Sequence, residues 1–127
     1  MATTNIESSG NPARGECVFC RIVAGELPAT VVRETERTLA FRDVSPQAPV
    51  HVLVIPKEHL VDLGSVAVAD PELLAAILDE AVAVAVEEGV ADSGYRVVFN
   101  TGPEGGQVVG HCHAHVLGGR QLDGRLG

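Results

Sequence analysis

Apolar and polar positions change period several times along the chain, and each change predicts an element. Val18, Phe19, Ile22 and Val23 fall at helical spacing and Gly25 follows as a stop, so residues 16–24 predict a short helix. Two short runs, 29–33 and 38–43, flank Glu34-Thr35-Glu36 and predict a hairpin. Val50-His51-Val52-Leu53-Val54-Ile55 is nearly all apolar and ends at Pro56, the pattern of a central strand covered on both faces. Pro46 and Pro49 stiffen the loop before it. Asp70-Pro71-Glu72 opens a helix, with Asp as cap, Pro at the first position and Glu at the positive dipole end. That helix should run to Glu88, stop at Gly89, and carry Leu73, Leu74, Ile77, Leu78 and Ala81 on one face. Within it, residues 81–86 alternate Ala and Val like a strand, but the punctuation at both ends decides for helix. Residues 95–100 predict a further strand, and Gly102, Gly105, Gly106 and Gly110 make residues 101–110 a flexible or tightly turned loop.

The last periodic stretch is Gly110-His111-Cys112-His113-Ala114-His115-Val116-Leu117-Gly118. Period two predicts a strand with His111, His113 and His115 on one face and Cys112, Ala114 and Val116 towards a core. At ~3.3 Å per residue His111 and His115 lie about 13 Å apart, too far to share one metal on a regular strand, so the three have different jobs. His113, flanked on its own face by the other two, suits a nucleophile with a neighbour that fixes its tautomer; neutral imidazole attacks phosphorus at neutral pH. Gly105-Gly106-Gln107 just before the strand can bring backbone N–H groups close to an anion, although a glycine pair alone marks any tight turn.

Composition bounds the rest. The 127 residues suffice for one domain with a real core, expected over 15–127 behind a polar, aperiodic, disordered tail at 1–14. A formal charge of −8 argues against a general nucleic-acid binder but leaves small nucleotides open. No run approaches a membrane span, no signal peptide is visible, and three cysteines fit a reducing cytoplasm better than a disulfide framework.

Two of those cysteines form Cys17-x-x-Cys20, a spacing shared by metal sites and by buried or redox thiols. His59, just past the central strand, and His111, at the entrance of the histidine strand, complete a tetrahedral Cys2His2 set for structural zinc. A small domain with 3% aromatic residues gains from such a staple. Asp43 and Asn100 each end a predicted strand; Asp43 suits a ribose diol and Asn100 a phosphate, while either alone also reads as a turn or cap. His51 alone in its strand reads as a structural histidine.

His111-Cys112-His113-Ala114-His115-Val116-Leu117 resembles the motif of the histidine triad family, in which three histidines alternate with apolar residues. Residues 41–57, 94–98, 105–107 and 116–121 resemble its histidine triad nucleotide-binding branch, zinc-site bacterial type, and the likeness covers residues 16–121. It implies an α+β fold: a five-stranded antiparallel sheet with a short N-terminal helix and one long helix, the sheet continuing across a homodimer. It implies a hydrolase of purine nucleoside 5′-phosphoramidates or related acyl-nucleotides, such as AMP or GMP derivatives. His113 would form a nucleotidyl-histidine intermediate, with His115 and His51 orienting it, contacting the phosphate and managing protons. It places Phe19, Ile22, Phe41, Val44 and Leu53 at the base, Asp43 at the ribose, and Asn100, Gly106, Gln107 and position 108 around the phosphate. Zinc on Cys17, Cys20, His59 and His111 would be structural, with no cofactor needed for chemistry. Val108 departs from the serine usual there, Cys112 and Ala114 are smaller than the usual apolar residues, and residues 122–127 lack the usual aromatic. A nucleotide-binding module with vestigial catalysis, a dinucleoside polyphosphate hydrolase and a metallohydrolase using the His-x-His pair are the alternatives.

Overall fold

The computed structural model describes residues 16–127, so the tail expected at 1–14 lies outside the described residues. Five strands, β1 (Val31–Glu34), β2 (Thr38–Arg42), β3 (Val50–Pro56), β4 (Tyr95–Phe99) and β5 (Ala114–Gly118), form one antiparallel sheet in the order β1-β2-β3-β5-β4. The helices are α1 (Val18–Val23), α2 (Leu63–Ala69) and α3 (Pro71–Glu87). This is the α+β architecture expected from the sequence.

Strand parity divides the interior in two. Ala40, Val52, Val54, Ala114 and Val116 meet Leu73, Ile77, Ala81, Val84 and Ala85 of α3 on one face of the sheet. Those α3 positions recur at helical spacing, so the long helix buries one stripe, and each fully buried Leu or Ile contributes about 2 kcal/mol. The Ala/Val alternation at 81–86 is therefore helical: Ala81, Val84 and Ala85 are buried, Val82 and Val86 exposed. On the other face Leu39, Phe41, Leu53 and Ile55 pack against Cys17, Phe19 and Cys20 of the α1 region.

The element ends follow local chemistry. Asp70 caps α3 through Leu73 N–H and is held by Arg37 at 2.7 Å, which keeps its carboxyl below the ordinary value. Gly89 follows the C-cap Glu88 with φ +78, as a glycine stop should. Two elements depart from expectation. Helix α2 was not foreseen, because Gly64 and β-branched Val66 and Val68 weaken its pattern; Asp62 caps it by accepting from Ser65 N–H at 2.8 Å. The histidine strand is also shorter than 110–118. Strand β5 begins only at Ala114, because Cys112 N–H donates to the Leu60 carbonyl at 2.7 Å and the His111 ring occupies the Pro56 carbonyl at 2.8 Å. Both bonds pull residues 111 and 112 off the β3 ladder.

Candidate active site

Parity assembles the site on the face opposite α3. Because Val52, Val54, Ala114 and Val116 enter the helical core, His51 and His115 turn the other way. The register pairs Leu53 with His115 and His51 with Leu117, making the two histidines diagonal neighbours. His51 Nε2 lies 2.9 Å from His115 Nδ1, and the His113 and His115 ring centroids are 5.0 Å apart. Phe19 of α1 stands edge-on to His113 at 5.2 Å and to Phe41 at 5.5 Å. These side chains form one wall of a cavity of about 660 Å³. Among the residues expected at a nucleotide, Phe19, Ile22, Phe41, Asp43, Val44, Leu53, Asn100, Gly106 and Val108 line it with His51, His113 and His115. Its walls are apolar around a few convergent polar groups, the usual composition of a small-ligand site.

Gln107 is not brought to the cavity by its side chain. It is 8% exposed, donates to the Val61 and Val109 carbonyls at 2.7 and 3.0 Å, and accepts from Gly102 N–H at 3.0 Å. It holds the glycine loop from beneath. The N–H groups of Gly106 and Gln107 are also engaged, with the Pro103 and Gly102 carbonyls, so the cradle expected from Gly105-Gly106-Gln107 is closed at these two positions. Asn100 donates one amide N–H to the Gly105 carbonyl at 2.8 Å, which leaves its second N–H and its amide oxygen for a ligand. Gly105 is required in this turn, since a Cβ there would meet the Thr101 carbonyl oxygen at 2.2 Å.

Hydrogen-bond partners set the histidine tautomers. His113 Nδ1 faces the His111 carbonyl at 2.8 Å, so Nδ1 carries the proton and Nε2 the lone pair. Gln47 N–H donates to His51 Nδ1 at 3.0 Å, so His51 is protonated at Nε2. That Nε2–H donates to His115 Nδ1 and also faces Asp43 Oδ2 at 3.4 Å. His115 therefore carries its proton on Nε2. Burial first, with His51 adding, pushes His113 below the ordinary value. His115 is pushed to about 4 by burial first and then by His113 and His51. Both rings are neutral at pH 7: His113 has an unprotonated nitrogen available to an electrophile, and His115 an N–H available to an anion. Burial first, then Asp62, pushes the Cys112 thiol to about 12, so it is inert in the core.

His111 belongs to a second cluster. Its Nδ1 lies 3.4 Å from Cys17 Sγ and 3.6 Å from Cys20 Sγ, and Cys20 Sγ lies 3.1 Å from His59 Nδ1. The four donor atoms lie within 4.8 Å of one another. The chemistry of the set fits zinc: two sulfurs, two imidazole nitrogens, and His111 Nε2–H fixed on the Pro56 carbonyl so that Nδ1 points at the sulfurs. Asp43, His51 and His115 also bring three potential ligand atoms within 4.8 Å, but there the His51 Nε2–H is committed between the other two.

Some site residues had no signal in the pattern. Leu27, Pro28 and Val109 line the cavity, and Gln47 reaches His51 only through its backbone. A backbone donor leaves no trace in residue type.

The chain belongs to the histidine triad family: the family model for the HIT domain matches residues 24–122. It is 49% identical over 108 residues to the 14 kDa zinc-binding protein of Zea mays, covering 84% of each chain. It is 40% identical over 107 residues to the purine nucleoside phosphoramidase of Escherichia coli, covering 84% of this chain and 90% of the relative. A crystal structure of a HIT family hydrolase from Legionella pneumophila superposes with a TM-score of 0.83 at 52% identity, over 86% of this chain and 97% of that one.

Proposed function

We propose that this protein hydrolyses purine nucleoside 5′-phosphoramidates or related acyl-nucleotides through a nucleotidyl-histidine on His113. The observation that carries this reading is the bond from His113 Nδ1–H to the His111 carbonyl, which leaves the Nε2 lone pair of a neutral ring at the cavity. Nε2 attacks the α-phosphorus, the P–N bond breaks, and the amine leaves with a proton from solvent. Water then attacks the same phosphorus, the P–His113 bond breaks, and the nucleoside monophosphate departs. His115, neutral, donates its Nε2–H to a phosphoryl oxygen as charge builds there. The base lies between Phe19, Ile22, Phe41, Val44 and Leu53, and Asp43 accepts from the ribose. The purine nucleoside phosphoramidase relative supports this substrate class.

We also infer a structural zinc on Cys17, Cys20, His59 and His111, supported by the donor set and by the zinc-binding relative. Zinc bound there would pin α1 to the loops around β3 and β5. The protein acts as a homodimer: β4 is a sheet edge, and Leu78, Val82 and Val86 leave an apolar stripe exposed on α3. Its three free cysteines suit a reducing cytoplasm, and among the described residues no helix is long and apolar enough to cross a membrane.

Single-turnover reaction with adenosine 5′-phosphoramidate labelled at phosphorus, quenched in base, tests the reading. Label on wild-type protein and none on His113→Ala is the expected result. AMP binding with neither label nor ammonia release overturns it in favour of a binding module.

A further inference from the structure

The arginines divide by what they hold. Among the described residues Arg21, Arg33, Arg37, Arg42 and Arg125 each lie within ion-pair distance of a carboxylate. Arg120 instead donates to two backbone carbonyls, Gln47 at 3.0 Å and Gln121 at 3.0 Å. It is carried there by Gly119, whose φ is +96 and where a Cβ would stand 2.9 Å from Pro49 Cβ, so only glycine brings the end of β5 this close to the loop before β3. Gln47 is the residue whose N–H selects the His51 tautomer.

We propose that Arg120 is a positioning residue that acts on the catalytic histidines through Gln47 and His51. The chain of bonds is continuous: Arg120 guanidinium to the Gln47 carbonyl, Gln47 N–H to His51 Nδ1, His51 Nε2–H to His115 Nδ1. Its purpose is directional. Without a donor at Nδ1, His51 also populates the tautomer with Nδ1 protonated. Its Nε2 lone pair then faces His115 Nδ1, which must take the proton, and His115 turns a lone pair instead of an N–H towards the phosphate. Arg120 thus keeps the donor end of the relay aimed at the anion. Pro46 and Pro49 stiffen the loop being held, so one contact orients it. The inference rests on the catalytic reading of His113 and His115.

The test compares Arg120→Met, which keeps the apolar stem, Arg120→Lys, and Arg33→Met as a control, since Arg33 pairs with Glu80 and Glu87 of α3 and with no group of this relay. Long-range proton–nitrogen NMR of the histidine rings reports the His51 tautomer, and kcat and KM are measured with adenosine 5′-phosphoramidate. In Arg120→Met a second His51 tautomer is expected, with kcat down about tenfold and KM within about twofold, as for loss of a group that orients a functional histidine. Arg120→Lys should restore the Nε2–H form and most of kcat, because an ammonium still reaches one carbonyl. Arg33→Met should match the wild type in kcat and in the His51 spectrum. A wild-type His51 spectrum in Arg120→Met overturns the proposal, and so does an equal loss in Arg33→Met. If the wild type fails to turn over the phosphoramidate, the functional reading fails while the His51 spectrum still decides the role of Arg120. If Arg120→Met does not fold, Arg120→Lys, which keeps a donor for the Gln47 carbonyl, and Arg120→Leu, which has none, decide on the same spectrum: a single Nε2–H form in Lys with a mixed tautomer in Leu supports the proposal, and a single Nε2–H form in both, or a mixed tautomer in Lys, overturns it.

Discussion

His111 and His113 stand two residues apart and serve opposite ends of one site. His111 lies at the closed end, fully buried, with Nδ1 turned to Cys17 and Cys20. His113 lies at the open end, beside a cavity of about 660 Å³. What separates them is which nitrogen a backbone carbonyl claims: Nε2 of His111 is taken by Pro56, and Nδ1 of His113 by His111 itself. The first choice turns Nδ1 of His111 to the two sulfurs and the second leaves Nε2 of His113 at the cavity, from the same side chain. The ends are also joined, since His111, which faces the two sulfurs, supplies the carbonyl that orients His113.

Removing the open end should have the largest effect. His113→Ala is expected to lower kcat/KM by about 10³-fold or more with a melting midpoint lowered by only about a few degrees, measured by ammonia release and calorimetry. Phe19 belongs to both ends, edge-on to His111 at 5.8 Å and to His113 at 5.2 Å. Phe19→Ala should cost about 3–4 kcal/mol in chemical denaturation and also raise KM, coupling two losses that the histidine variants keep apart. Stripping metal with a chelator should lower stability by about 2–3 kcal/mol, read as a fall of several degrees in the melting midpoint, while the stripped protein still forms the labelled histidine.

Protonation acts on the open end. His115 is held at about 4, against 6.5 in the unfolded chain. Between those values the unfolded chain binds the proton and the folded chain does not, so stability falls as pH drops from about 6.5 towards 4 and is fully present above that window. Melting midpoints across this range should decline less steeply in His115→Asn. The smallest effect is expected at Val108, which is 63% exposed at the cavity rim. Val108→Ser adds one hydroxyl at the cavity rim and should change kcat/KM by about two- to tenfold, with a shifted preference among amine leaving groups.

The fold was legible where period and punctuation agreed. Asp70-Pro71 and Gly89 bracketed α3, and the apolar run of β3 announced a strand covered on both faces. Helix α2 was hidden because its residues favour neither period. The histidine row announced its own chemistry, but its regular period misled on shape: His111 has left the ladder, drawn off by the Pro56 and Leu60 carbonyls, contacts that no spacing encodes. His51 alone looked structural, and strand parity with Leu53 and Ile55 is what turns it into the site. Gln47 and Arg120 were silent as site residues, since Gln47 meets His51 through its backbone N–H and the Arg120 guanidinium meets only backbone carbonyls.

Histidine tautomers in the zinc-loaded protein test the division of labour most directly. Long-range proton–nitrogen correlation should show His113 protonated at Nδ1 with a free lone pair at Nε2, and His111 protonated at Nε2. His113 protonated at Nε2 in the resting protein would contradict the account, because the nitrogen assigned to attack would then carry a proton.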